Sequence, residues 1–434
     1  MTTPEVDATR PRPMVAIVGA GFGGINATRG LMDGPFELTL IDRDNYHGFW
    51  PLLYQVATAG LGPEDIAHPV RGMFGDRANV HVRLGTVSGV DFDRKVIHID
   101  DEDDVRYDYL VLAAGSSTSD FGIPGVDDYA FPLKTLPDAV RLRNHILNCF
   151  ERADACPELA DDGLLTFVLA GGGPTGVEMA GALSELIGRN LAHDFPHLDV
   201  TKARVVLVEM LDHLLGSFSE SSRAVALRTL RSKGIEVRLN TAIASLSDKE
   251  VTFKDGACIR CATTVWTAGI RANPVANNLD TAKGKGGSIE VNKDLTLAGH
   301  PEVFVIGDLS SLKDRHGKPL PQVAQVAIQG GRHAAKCIRR HMTGKAYTDF
   351  HYHDHGMMAT IGRRSAVAEV PGGLKLKGTI GWLSWLFVHL VFLVGFRNRI
   401  VVLVNWAWNY VSWERASRVI LEEKSRTPTG QQRA

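Results

Sequence analysis

Short apolar runs alternate with stretches of helical spacing along most of the chain. Residues 14–18, 36–41, 109–114, 164–170, 204–208, 263–267 and 303–306 read as buried strands, and 136–152 carries helical periodicity. Strands regularly interleaved with helices predict a doubly wound α/β protein. Two of the strand ends are glycine-rich. Gly19-x-Gly21-x-x-Gly24 follows the first run, and Asp42 closes the second. Gly171-x-Gly173-x-x-Gly176 repeats the arrangement, with Glu209 closing 204–208. In each case a strand feeds a tight turn and a helix N-terminus, where a pyrophosphate can approach bare backbone amides. The acid at the next strand end can accept ribose hydroxyls. Glycine also serves ordinary strand–helix turns, so one such motif is weak. Two, each with strand, helix and acid in order, predict two dinucleotides in one chain, hence electron transfer between a bound flavin and a visiting nicotinamide.

The same pattern predicts the organisation. Residues 109–114 end at Gly115, and 263–267 end at Ala268-Gly269, after which the chain returns to the first domain. The expectation is an α/β fold with two Rossmann-like dinucleotide-binding domains, the second inserted in the first, plus a C-terminal amphipathic helical segment that binds membrane. The first domain is assigned to 14–135 and 270–375, the second to 136–269 and the tail to 376–421, with 1–13 and 422–434 expected to be disordered.

Composition narrows the class. A net charge of −1 over 434 residues gives no field calling for nucleic acid. Five cysteines, sparse and odd in number, fit a reducing compartment better than a disulfide framework. The polar N-terminus lacks the apolar core of a signal peptide. Cys258-x-x-Cys261 has the spacing of a redox or zinc pair. It lacks further ligands nearby and falls in a segment that reads as a strand, so no metal is assigned. His351, His353 and His355 alternate as on a strand face, which reads as a strand of the flavin domain in preference to a metal site.

The tail departs from the rest. Residues 378–396 carry no formal charge, and 400–413 are again apolar. Five of the seven tryptophans (Trp382, Trp385, Trp406, Trp408, Trp413) lie here, with an excess of Lys and Arg over acids. Tryptophans flanked by cations mark a membrane interface. Thr379, Ser384 and His389 interrupt the first run, while Asn405, Asn409 and Ser412 share one face of the second. Helices lying in the interface fit better than a span, and a soluble dimer interface is the other reading.

Residues 42–60 (DRDNYHGFWPLLYQVATAG), GGGPTGVE at 171–178, VFVIGDLS at 303–310, AQVAIQGG at 324–331 and VHLVFLVGFRNR at 388–399 together resemble the type II NADH:quinone oxidoreductases, single-chain flavoenzymes that do not pump protons. The resemblance runs from about residue 15 to about 421. It implies respiratory electron transfer from NADH through tightly bound, non-covalent FAD to a membrane quinone. It also implies peripheral attachment to the cytoplasmic face of the inner membrane, and is compatible with a homodimer.

By this resemblance Gly19, Gly21, Gly24 and Asp42 hold FAD, helped by Ala114, Gly115, Asp308 and Ala324. Asp308 alone reads equally as a turn residue or helix cap. Gly171, Gly173, Gly176, Glu209, Ala268 and Gly269 hold NADH, with Glu209 disfavouring a 2′-phosphate. Glu178, Gln325 and Gln329 are the expected catalytic residues. Glu178 also reads as a carboxylate favoured by the dipole of its helix's first turn. Gln322, Gln325 and Gln329 are spaced to share a helix face that either meets a quinone's carbonyls or faces solvent. The rival enzymatic reading is a sulfide:quinone oxidoreductase, which would need working cysteines at the flavin. A flavin- and NADH-binding redox sensor is the non-enzymatic one.

Overall fold

The computed structural model describes residues 12–314, 317–412 and 417–421. Its principal elements run β1 (Met14–Val18), α1 (Phe22–Leu31), β2 (Glu37–Asp42), β3 (Val80–Leu84), β4 (Tyr109–Leu112) and β5 (Ala130–Pro132). Then follow α2 (Leu136–Ala155), β6 (Thr166–Ala170), α3 (Pro174–Glu185), β7 (Arg204–Val208), α4 (Glu220–Ser232), β8 (Glu236–Arg238) and β9 (Thr263–Trp266). The rest comprises β10 (Thr296–Leu297), β11 (His300–Val305), α5 (Ala324–Met342), β12 (Met357–Gly362), β13 (Ser365–Glu369), β14 (Lys375–Lys377), α6 (Gly378–Phe392) and α7 (Phe396–Ser412).

The chain divides into two compact units. The first takes in residues up to Gly48, Ala67–Ser119 and Ile270–His355. Its sheet has the order β10-β11-β4-β1-β2-β3, parallel except for the edge pair β10/β11. Successive residues of β1 serve opposite faces. Val15 and Ile17 join one core with Leu38 and Phe304, while Ala16 and Val18 join the other with Ile41 and Leu110. Burial on both faces is why the central β1 and β4 run apolar almost throughout, whereas β2 and β3, nearer the edge, carry polar residues at alternate positions.

The second unit takes in Phe49–Ile66, Asp120–Gly269 and the chain from Gly356 on. Its parallel sheet has the order β5-β9-β6-β7-β8. Residues 49–66, 120–135 and 356–375 thus group with the inserted sheet, although the sequence pattern placed them with the first domain. Close packing accounts for the last of these: a Cβ on Gly181 of α3 would lie 2.4 Å from the Ile361 carbonyl oxygen of β12. The termini expected to be disordered lie almost wholly outside the described residues, as does Trp413.

Candidate active site

The two glycine turns share their backbone plan. The Gly19 N–H donates to the Ile41 carbonyl at 2.8 Å, and the Gly171 N–H to the Val208 carbonyl at 2.9 Å. Both first glycines have left-handed φ, +102° and +108°, against the next strand's end. A Cβ on Gly19 would lie 3.2 Å from Ala114 Cα, and one on Gly171 2.7 Å from Ala268 Cα. The third glycines are held by sterics: a Cβ would fall 1.7 Å (Gly24) or 1.9 Å (Gly176) from the first glycine's carbonyl oxygen. By contrast, a Cβ on Gly21 or Gly173 would meet no protein atom within 4 Å. These middle glycines cap α1 and α3. Their open space leaves room for an anionic group such as a pyrophosphate against the helix N-terminus.

The acids are tied into the turns. Asp42 accepts the N–H groups of Ala20 and Asp44, and Glu209 accepts those of Gly172 (2.6 Å) and Leu211 (2.8 Å). Burial raises the Asp42 pKa, opposed by those two N–H groups. Sequence reasoning missed His47, whose Nδ1 lies 2.8 Å from the Ala20 carbonyl. Burial lowers its pKa to about 4, so the ring is neutral and Nδ1–H donates to that carbonyl. No spacing rule links a histidine in the short strand Tyr46–Gly48 to this turn.

Asp308 accepts the Ser116 hydroxyl at 2.6 Å, one residue past Ala114-Gly115, so the ends of β4 and β11 converge. The glutamines differ from expectation. Gln322 precedes α5 and donates to the Asp308 carbonyl at 3.3 Å, so it is not part of a helical stripe. Gln329 is engaged at both ends: Nε2 donates to the His353 carbonyl at 2.8 Å, and Oε1 accepts the His353 N–H at 2.9 Å. Half-buried Gln325 has no such partner among the described residues. The three histidines lie in irregular backbone before β12 rather than on a strand, and Gln329 holds the middle one.

Glu178 sits in the second turn of α3, not the first, and is buried. Its Oε1 accepts the Thr360 N–H at 3.3 Å. Burial drives the pKa to about 8, countered only by Thr360 and the Trp385 indole, so the carboxyl carries its proton at neutral pH. The indole acts on the carboxyl without closing a hydrogen bond of ordinary geometry; its Nε1 is buried with no partner. Trp385 stacks on His389 at 3.9 Å, and burial holds that imidazole neutral, its pKa lowered to about 4. Glu178 opens onto a cavity of about 130 Å³ whose lining includes Tyr54, Thr58, Thr360, Trp385 and Trp406. The tail's composition set it apart from the rest of the chain, but did not reveal that Trp382, Trp385 and Trp406 line a cavity beside Glu178.

The tail helices turn their polar side inward. Asn405 donates to Asp65 at 3.2 Å, Asn409 to the Gly60 carbonyl at 3.2 Å and Trp406 to Gln55 at 2.8 Å. Ser412 instead bonds its own helix at Trp408. Outward stand Ile380, Phe387, Phe396, Val404 and Trp408, all more than half exposed. No helix among the described residues is long and apolar enough to cross a membrane. All five cysteines are free thiols; Cys258 is exposed on a short strand while Cys261 is buried.

Residues 13–331 match the pyridine nucleotide-disulphide oxidoreductase family, and 354–412 match the NDH2 C-terminal domain. The chain is 38% identical to the type II NADH:quinone oxidoreductase NdhA of Mycobacterium tuberculosis, covering 98% of this chain and 92% of that one. It is 31% identical to the type II NADH:quinone oxidoreductase of Staphylococcus haemolyticus, covering 83% and 90%. Among solved structures, NDH2 from Plasmodium falciparum in complex with NADH superposes with a TM-score of 0.86 at 18% identity, covering 95% and 100%. The sulfide:quinone oxidoreductase of Aquifex aeolicus shares the fold more distantly, with a TM-score of 0.72 at 18% identity, covering 89% and 92%.

Proposed function

The chain belongs to the type II NADH:quinone oxidoreductases, and we propose, from its duplicated glycine turns, how its residues divide the work of oxidising NADH and reducing a quinone without pumping protons. The flavin is FAD, held without a covalent bond in the first turn by Gly19, Gly21, Gly24 and Asp42. Open space at Gly21, and the convergence of Ala114, Gly115 and Asp308 on the same sheet edge, support this assignment. FAD, when bound, supplies the two-electron relay between nicotinamide and quinone. NADH occupies the second turn at Gly171, Gly173 and Gly176, beside Ala268 and Gly269. A carboxylate there accepts ribose hydroxyls and repels a 2′-phosphate, so Glu209 selects NADH.

Gln325 is the amide that donates to a quinone carbonyl, because its side chain is uncommitted. Gln329 positions the 353 backbone and acts through it. The first N–H groups of α5, from Ala324, have no intrahelical partner and are placed to stabilise negative charge on the flavin side of the site. Glu178, protonated at neutral pH, holds a proton of the kind quinone reduction consumes.

The exposed apolar faces of α6 and α7 lie in one leaflet of the membrane, with Lys375, Lys377, Arg397 and Arg399 meeting acidic headgroups. The face is the cytoplasmic one, where NADH is available. The observation carrying the reading is the matched pair of turns, each with its acid bonded to the amide after the first glycine. Anaerobic addition of NADH should bleach the flavin absorbance, and a short-chain quinone should restore it. Bleaching by sulfide instead would favour the sulfide reaction; bleaching with no recovery would favour a sensor.

A further inference from the structure

α1 and α5 cross through their smallest residues. A Cβ on Gly30 would stand 2.5 Å from Ala335 Cβ, and one on Gly331 would stand 2.2 Å from the Gly23 carbonyl oxygen. Helices this close leave the long side chains flanking the crossing to form the walls of an open cleft, here of about 580 Å³. Its walls carry Arg29 from α1, Arg332, Lys336, Arg339 and Arg340 from α5, and Lys345 from the turn beyond. No Asp or Glu is among the described residues that line it. Six cations in one concavity contrast with a chain whose net charge is −1.

Ordinary helix electrostatics explain part of this. Arg29, Arg339 and Arg340 lie in last turns, where cations complement the helix dipole. That argument does not reach Arg332 and Lys336, which stand further back along α5, or Lys345 beyond it. Among the described residues, no carboxylate pairs with Arg332, Lys336, Arg339, Arg340 or Lys345. Arg332 Nε donates to Asn26 Oδ1 at 3.1 Å and Arg340 Nε to the Ala346 carbonyl at 3.0 Å. The side chains of Lys336, Arg339 and Lys345 have no hydrogen bond or ion pair among the described residues. From Arg332 to Arg339 the α5 row extends roughly 10 Å at the helical rise. That is longer than a single phosphate and suited to a chain of them, and guanidinium forks match phosphate oxygens in pairs.

We propose that this cleft is a second anion site, binding a ligand with two or more phosphate groups, either a soluble polyphosphate or the paired headgroups of an acidic lipid. It differs from the glycine turns in using side-chain cations at the far end of α1 rather than amides at its start. It does not depend on the assignments of flavin, NADH or quinone.

The test titrates inorganic tripolyphosphate into the flavin-loaded full chain by calorimetry, beside K336Q/R339Q and, separately, K345Q. We expect saturable one-site binding that sulfate at matched ionic strength does not displace. The double variant should bind about tenfold or more weakly, as loss of two charge-assisted contacts requires. Its flavin spectrum and NADH oxidation with a water-soluble acceptor should be unchanged. Flotation on phosphatidylcholine vesicles with and without diphosphatidylglycerol then separates the sources. Weaker flotation of the double variant only on the diphosphatidylglycerol vesicles identifies a lipid ligand, and equal flotation with weakened tripolyphosphate binding identifies a soluble one. Absence of saturable binding with unchanged flotation, or equal affinity in wild type and both variants, overturns the proposal.

Discussion

The Glu209 carboxylate accepts the Gly172 N–H at 2.6 Å, joining the residue proposed to select the nicotinamide to the turn proposed to hold its pyrophosphate. Specificity and turn geometry are therefore coupled. E209Q keeps one acceptor oxygen and loses the charge. The ratio of kcat/KM for NADH over NADPH should fall by about tenfold, the equivalent of roughly 1.4 kcal/mol. An unchanged ratio would remove Glu209 from the ribose site.

The middle and third glycines should respond differently to the same methyl group. At Gly21 an added Cβ meets no protein, whereas at Gly24 it falls 1.7 Å from the Gly19 carbonyl oxygen. G21A should fold with a near-normal melting temperature after flavin removal but rebind flavin weakly. G24A should destabilise the flavin-free protein itself. Equal loss of stability in both would place Gly21 in structure rather than in binding.

Glu178 makes stability depend on pH in a defined direction. Its folded pKa, about 8, lies above the ordinary 4.5, so between those values the folded state holds a proton that the unfolded state releases. The contribution is fully present below about 4.5 and is lost as pH rises through about 8. E178Q, neutral at every pH, should flatten that decline and melt higher than wild type at alkaline pH. Parallel melting curves across the range would show that the carboxyl is not buried as a neutral acid. In turnover, E178Q should slow quinone reduction more than flavin reduction by NADH.

Gln325 and Gln329 should separate, although both belong to one motif. Q325L should accept electrons from NADH at a near wild-type rate and return them slowly to quinone in stopped flow. Q329L removes two hydrogen bonds to His353 and should cost about 1–3 kcal/mol of stability, seen as a lower melting temperature. A lower melting temperature in Q325L with normal reoxidation would exchange the two roles.

The outward apolar face of the tail should govern vesicle binding without affecting the nucleotide sites. Replacing Phe387 and Trp408 with Ser removes two large exposed side chains, each worth about 1.5–3 kcal/mol when buried in an apolar medium. Binding should drop by about tenfold or more, while oxidation of NADH by a water-soluble acceptor persists. N405L should act differently, leaving Asp65 without its amide partner and loosening α7 from the protein. Unchanged vesicle binding in the Phe387/Trp408 variant, with a shift in oligomeric state, would make this face a contact between two copies.

The sequence by itself determined what is local. Strand, glycine turn, helix N-terminus and acid recur in a fixed order because a few adjacent backbone conformations demand them, so both glycine turns were legible down to Gly19 and Gly171. The tail's amphipathic helical character was legible as composition. Periodicity reports that two faces of a helix differ, but not which one meets protein. Asn405 and Asn409 face inward only because Asp65 and Gly60, far away in the chain, offer partners there. Likewise Glu178 owes its proton to burial beside Thr360 and Trp385, Gln329 its commitment to His353, and the basic cleft its shape to a close crossing of α1 and α5. In each case a distant segment sets the solvation or bonding of a side chain whose own neighbourhood in sequence does not mention it. That is the part only tertiary structure decided.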